Sequence, residues 1–263
     1  MFTWKLAIQL TFSILLFFVL STASYAQDKL KLCVADSTWF PFIIIKKEAI
    51  SGVYIDILIK SSKPLGYTIK VDAIPWKRCL HLTKTGQYDG IAGVSYQQSR
   101  TEFLSYPKDI NSSESSKFQL SQVDYVIVTH SSTKFSFNGN VQQLPSPIRS
   151  PLGFSIGKEL EALGLEVDNA ALNDDANLKK LLRDKSGSVI LIREMAHFLI
   201  NNNPDLLIHP HPLKSKSYFL AFSKRTELSK NEKIKLWEGI SKVRDDKAFI
   251  RKTLESYHHE YIR

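Results

Sequence analysis

Between Lys29 and Val94 the chain alternates short apolar runs with helical stretches, and this rhythm leaves few folds open. Lys29 to Ala35 alternates loosely and reads as a strand. A turn over Asp36 to Pro41 follows, where Pro41 restricts the residue before it. Phe42 to Ile45 reads as a short apolar strand. Val53 to Ser62 carries apolar residues at helical spacing, Pro64 to Gly66 ends that helix, and Thr68 to Ile74 alternates again. Pro75 opens a second helix that runs to about Lys84. Gly86 breaks it before a buried strand over Gly90 to Val94. Strand, helix and strand in succession predict an α/β fold with a largely parallel sheet.

The rest of the chain is less regular. Strands are expected over Tyr125 to Thr129, from Val167, over Val189 to Ile192 and over Tyr218 to Phe222. Helices are expected over Ile156 to Leu163, Asn177 to Arg183, Arg193 to Ile200, Lys230 to Arg244 and Asp246 to Tyr257. Asp174 or Asp175 is a candidate cap for the second of these helices. Lys134 to Ser150 is rich in Gly, Pro, Ser and Asn and predicts no clear element.

The first residues bear on compartment. Lys5 precedes an apolar run from Leu6 to Leu20, and small residues follow through Ser24 and Ala26. This is the pattern of a secretory signal cleaved after Ala26. The alternative is a membrane anchor, but the run is short against the ~20 residues a bilayer span needs. Secretion would place the protein in the periplasm. There Cys33 and Cys79 can form one bridge, or remain two buried apolar thiols. The formal net charge is +9. The basic residues are spread along the chain with no basic run, so no nucleic-acid partner is expected; positive potential instead favours an anionic ligand.

Five landmarks in order carry a resemblance. They are Trp39-Phe40-Pro41-Phe42, Gly52-Val53-Tyr54-Ile55-Asp56, Gly86-x-x-Asp89-Gly90, Gly93-Val94-Ser95, and Arg100 five residues past that serine. Together they resemble the family 3 extracellular solute-binding proteins, and Pro75-Trp76-Lys77-Arg78-Cys79-Leu80 looks like a subgroup variant. The resemblance implies a two-lobed periplasmic-binding-protein fold of type II. Lobe 1 would hold residues 27–121 and 217–263, and lobe 2 residues 122–216. A solute would bind in the cleft between them. The implied partners are a small carboxylate-bearing ligand and an inner-membrane ABC permease or a sensor. The protein would be a monomer, without cofactor or metal.

The same resemblance assigns roles. Arg100 would grip a ligand carboxylate with two parallel hydrogen bonds, as a planar guanidinium can; the alternative is a surface ion pair with Glu102. Ser95 would assist or cap a strand end, and Gly93 would let the backbone approach the ligand. Trp39 would wall the slot or sit in the core, and Asp36 matches a cleft position. Gly153-Phe154-Ser155 resembles a helix start that offers free N–H groups to an anion, which makes Phe154 and Ser155 site candidates. One departure stands out. Where amino-acid binders of the family carry an aspartate for the α-ammonium, this sequence has Arg193, followed by Glu194. With Arg78 and Arg100, an inward Arg193 would suit a dicarboxylate or another anion.

Other constellations are weaker. Glu194-x-x-His197 has metal-site spacing in a single copy. No Gly-x-Ser-x-Gly elbow or phosphate-binding glycine loop is present. A binding protein rather than an enzyme is therefore expected. The catalytic alternative on the same fold, a cyclohexadienyl dehydratase, would need a cleft carboxylate, for which Glu194 is the lobe 2 candidate.

Overall fold

The computed structural model describes residues 28–47, 49–109 and 115–261. The expected leader over residues 1–26 lies outside them. No described helix is long and apolar enough to cross a membrane.

The chain folds as a mixed α/β protein around one long sheet. Strands β1 (Asp28–Ala35), β4 (Tyr67–Ile74) and β5 (Gly90–Ser95) form one group, with β1 parallel to both neighbours. Strands β8 (Ile148–Arg149), β9 (Val167–Asp168) and β10 (Ser188–Ile192) form a second parallel group. Two ten-residue strands, β7 (Ser121–His130) and β12 (Lys214–Ser223), run between the groups. The first half of β12 pairs with β7 and its second half with β5; β7 goes on to pair with β10. These crossing strands are antiparallel to their neighbours, so the sheet is mixed where the sequence rhythm predicts it largely parallel. Small additions complete it. β2 (Ile44–Lys46) and β3 (Ala49–Ser51) form a hairpin, while β6 (Leu104–Ser105) and β11 (Leu206–Ile208) pair onto β12 and β7.

Helices α1 (Val53–Ser62) and α2 (Trp76–Lys84) connect the first group, and α3 (Ser155–Ala162), α4 (Asp174–Asp184) and α5 (Arg193–Ile200) the second. Helices α6 (Lys230–Asp245) and α7 (Lys247–Tyr261) return to the first, where α6 packs on α1. The sequence pattern places α1, α2 and α5 to the residue or nearly so. Hydrogen-bond pairing lengthens β7 and β12 beyond their apolar cores. Inside the stretch over 134–150, which predicts no element, the structure forms β8. Its Arg149 is buried and ion-pairs with Asp184 at 2.8 Å, so the inward residue is a charge and the strand lacks an apolar signature.

Cys33 on β1 and Cys79 on α2 are joined by a disulfide with a Cα–Cα separation of 5.8 Å. It ties α2 to the sheet within a small buried cluster that includes Tyr88, Ile91, Val94 and Leu104. The position matters for the site, because α2 carries Trp76 at its start.

Candidate functional site

The carboxyl end of β5 reaches the junction of the two strand groups. Across β12, Val94 pairs with Phe219 and Ala92 with Leu220, so Gly93 is the extra residue of a bulge. Its φ is +78°, and a Cβ there would meet the Tyr54 ring at 3.0 Å. Glycine is thus required both by conformation and by packing. The bulge precedes Ser95, which faces the second group.

The 3-10 turn over Gln98–Glu102 then brings Arg100 back beneath Ser95. The Arg100 guanidinium donates to the Ser95 carbonyl at 3.0 Å and to its hydroxyl at 3.3 Å. It also donates to the Gly153 carbonyl of the second group at 3.4 Å and lies over the Trp76 ring at 5.3 Å. Arg100 is 4% exposed. The expected alternative, an ion pair with Glu102, is not formed, and among the described residues Arg100 has no acidic partner. A buried guanidinium with only neutral acceptors is under-compensated, which favours an anion beside it.

From the other group, Ser155 opens α3, whose first turn has no side-chain cap. Its hydroxyl meets that of Ser95 at 2.8 Å and accepts from Lys216 of β12 at 2.6 Å. Lys216 also binds Glu159. Burial pushes the Lys216 ammonium down to about 8, against the opposing pull of Glu159. Burial raises the Glu159 carboxyl, but Lys216 and Lys214 outweigh it and hold the group below its ordinary value. The indole of Trp76 donates to the Gly153 carbonyl at 3.1 Å, and Phe40 stacks on Phe198 of α5 at 4.6 Å. The two groups are therefore in contact around the site.

Between them lies a cavity of about 50 Å³. Six residues singled out in the sequence line it: Trp39, Gly93, Ser95, Arg100, Phe154 and Ser155. Three others do not. Asp36 and Arg78 are exposed outside the lining. Arg193 is a correction to the expected inward cation. Its guanidinium donates to the Pro210 carbonyl at 3.1 Å and lies 3.6 Å from Asp124, drawn away by acceptors of its own strand group. Neither Arg78 nor Arg193 joins Arg100, so no triad of arginines forms. Glu194, beside Arg193, also lies outside the lining. Among the described residues no group of three or more His, Cys, Asp and Glu is placed to hold a metal.

The sequence reading missed Trp76, Tyr218 and Asp174 as lining residues. Tyr218 shares a short hydroxyl contact with Tyr125, and its ring packs tilted against Trp39 with centroids 4.6 Å apart; burial pushes its hydroxyl up to about 12. Asp174 was a candidate cap, and this too is corrected. The cap of α4 is Asn173, whose side chain accepts the Ala176 N–H at 2.9 Å. Asp174 falls one residue inside, on the buried stripe with Asn177, Leu178 and Leu181. That spacing of three, four and seven was a readable signal that the acid points inward.

The profile of the bacterial extracellular solute-binding proteins, family 3, matches residues 31–179, more than half of the chain. No curated protein sequence matches. Among solved structures, the chain is similar to AbpA, an amino acid ABC transporter substrate-binding protein from Streptococcus pneumoniae bound to L-arginine. The two are 19% identical, with a TM-score of 0.68, over 90% of this chain and 98% of that one. It is also similar to holo ArgBP from T. maritima, at 19% identity and TM-score 0.62 over 90% and 97% of the two chains. A histidine kinase sensor domain with similarity to periplasmic binding proteins matches at 14% identity and TM-score 0.66, over 90% and 97%. At these identities the structures establish the fold, which transport and sensor proteins share. The family match, the mixed α/β architecture and the cavity between two strand groups agree: the chain belongs to the bacterial extracellular solute-binding proteins, family 3.

Proposed function

We propose that this protein captures a small carboxylate-bearing solute in the cavity between its strand groups and delivers it to an ABC-type permease, working in the periplasm once residues 1–26 are removed. On this reading lobe 1 comprises residues 27–121 and 217–263, and lobe 2 residues 122–216. β7 and β12 are the hinge strands, and the lobes part and close around the solute. Arg100 and Ser95 take the carboxylate from lobe 1. The uncapped start of α3 adds N–H groups from lobe 2, and Trp39 and Phe154 enclose the body of the ligand. The protein binds and releases its solute unchanged, in keeping with the family it belongs to.

One observation carries this reading. Arg100 is a nearly buried cation that lines the cavity and has no acid to balance it among the described residues. A carboxylate can accept two charge-assisted hydrogen bonds from it in place of the backbone carbonyls it now serves. Titration calorimetry of the purified protein against L-amino acids, dicarboxylates and the methyl esters of each tests the reading. Binding of at least one carboxylate at micromolar or tighter affinity, lost in its ester, is the expected result. Equal affinity for acid and ester, or no carboxylate bound at all, contradicts it.

A further inference from the structure

A second hollow opens beside the cavity. It measures about 380 Å³ and lies between α2 of the first strand group and α3 of the second. Arg100 and Phe154 line both spaces, so the two adjoin at the buried guanidinium. The cavity itself is small. Its 50 Å³ admits about four waters at the ~12 Å³ that one water centre needs. A solute larger than that reaches past Arg100 and Phe154 into the hollow.

The hollow is basic. Lys77, His81 and Lys84 follow one another at spacings of four and three along α2, which puts them on one face of the helix. Lys158 joins them from α3. Among the described residues none of the four is ion-paired. Glu161 is the acid in the lining, and it already accepts from Asn169 at 2.6 Å. Glu159, the other acid of α3, is held by Lys214 and Lys216. The Lys77 stem is fixed by packing: a Cβ on Gly153 would lie 3.5 Å from its Cγ and 3.7 Å from its Cε, so it runs across from one strand group to the other. Lysines scattered on a convex face are simply solvated. Here three lysines and a histidine converge on one concave space, where their fields add. A single carboxylate would balance one of them. A phosphate carries nearly two negative charges and three acceptor oxygens, and lysine serves it well as a point charge.

We propose that this hollow binds a phosphate-class group of the solute whose carboxylate Arg100 holds. The ligand class is then a phosphorylated or phosphonylated carboxylic acid, longer than the cavity alone admits. This rests on the carboxylate reading above, which it deepens. It also gives a role to the segment from Pro75 to Leu80, which looks like a subgroup variant in the sequence and places Lys77 at the junction of the two spaces.

The test compares wild type, the double variant Lys77→Met with Lys158→Met, and Arg100→Ala. Methionine keeps the apolar stem and removes the charge. Calorimetry uses matched pairs of increasing length: 3-phosphoglycerate against glycerate, O-phosphoserine against serine, and 6-phosphogluconate against gluconate. Wild type is expected to bind a phosphorylated member about tenfold or more tightly than its partner, with a preference that shrinks as salt screens the exposed lysines. The double variant should lose that preference and keep its affinity for the plain carboxylate within about twofold. Thermal unfolding with inorganic phosphate decides the matter without a chosen solute. About 20 mM phosphate should raise the wild-type Tm by roughly 2 °C over chloride of equal ionic strength and leave the double variant unmoved. No response to phosphate beyond that to chloride, or the same response in the double variant, overturns the inference and leaves the carboxylate reading standing. So does tighter binding of the unphosphorylated members. Unchanged binding of a phosphorylated acid in Arg100→Ala instead defeats the carboxylate reading itself.

Discussion

The two walls of the cavity solve opposite electrostatic problems by different means. On the lobe 1 wall, Arg100 is partly satisfied within its own segment, by the carbonyl and hydroxyl of Ser95 five residues earlier. On the lobe 2 wall, Asp174 has no partner among the described residues. The first charge is pre-organised by local chain geometry; the second is buried on the cavity wall. The lesson is that a binding site need not be balanced wall by wall. The walls differ in how much of each charge the chain itself offsets.

The largest effect should come from the pre-organised wall. Arg100→Ala is expected to weaken solute binding by 100-fold or more, about 3 kcal/mol by calorimetry. Arg100→Lys should recover only part of it, because an ammonium cannot supply the parallel fork. If the lysine variant recovers fully, the fork plays no part. The unbalanced wall should follow. Asp174→Asn is expected to raise the ligand-free Tm by about 6 °C, roughly 2 kcal/mol, with a distinctive pH signature. The raised folded-state value, about 7, lies above the unfolded one, so the native state binds the extra proton. The penalty is absent below about pH 4, grows through pH 7 and is complete above it. The Tm advantage of Asp174→Asn should therefore be largest near pH 8 and vanish near pH 4.

Wild type supplies the mirror image. Protonation of Asp174 relieves the cost of its burial, so the gap to Asp174→Asn should narrow by about half from pH 7.5 to 5.5. The groups within electrostatic reach of Asp174 are the Tyr218 and Tyr125 hydroxyls, both held high by burial. Lys216, pushed down to about 8 by burial, stays largely protonated across this window. A flat gap would contradict the burial of an ionised Asp174. Next in size, Gly93→Ala should cost about 1–2 kcal/mol of stability, because alanine must adopt φ +78° against the Tyr54 ring. Unfolding by urea at an unchanged slope would measure this. The smallest effect should be that of Arg193→Ala. With its guanidinium on Pro210 and Asp124, affinity should stay within about twofold. A larger change would return Arg193 to the site and undo the comparison.

The lobe 1 residues Gly93, Ser95 and Arg100 stood out in the sequence through the family resemblance, and short spans of chain hold them together. Gly93 must be glycine at a bulge, Ser95 follows it by two residues, and Arg100 returns by a five-residue turn. Spacing and residue type therefore travel together. On the lobe 2 wall Phe154 and Ser155 could be read, but the placement of Asp174 depends on a competition that the sequence leaves open. Asn173, Asp174 and Asp175 can each cap a helix, and a shift of one residue moves Asp174 from solvent into the cavity. The placement of Arg193 is non-local in the same way. Its acceptors, Asp124 and Pro210, come from β7 and from the loop before β12, which no local pattern brings together. The order of α1, α2 and α5 could be read directly because apolar periodicity and a flanking turn agree at each. β8 could not, because its inward Arg149 is balanced by Asp184 from a distant helix.

The central claim is that the cavity holds a carboxylate on Arg100. Native mass spectrometry of the protein purified from the compartment in which it works tests it most directly. The account predicts a small-molecule adduct that yields a carboxylic acid on release and is absent from Arg100→Ala prepared in the same way. An adduct without a carboxylate, or the same adduct retained by Arg100→Ala, would contradict it.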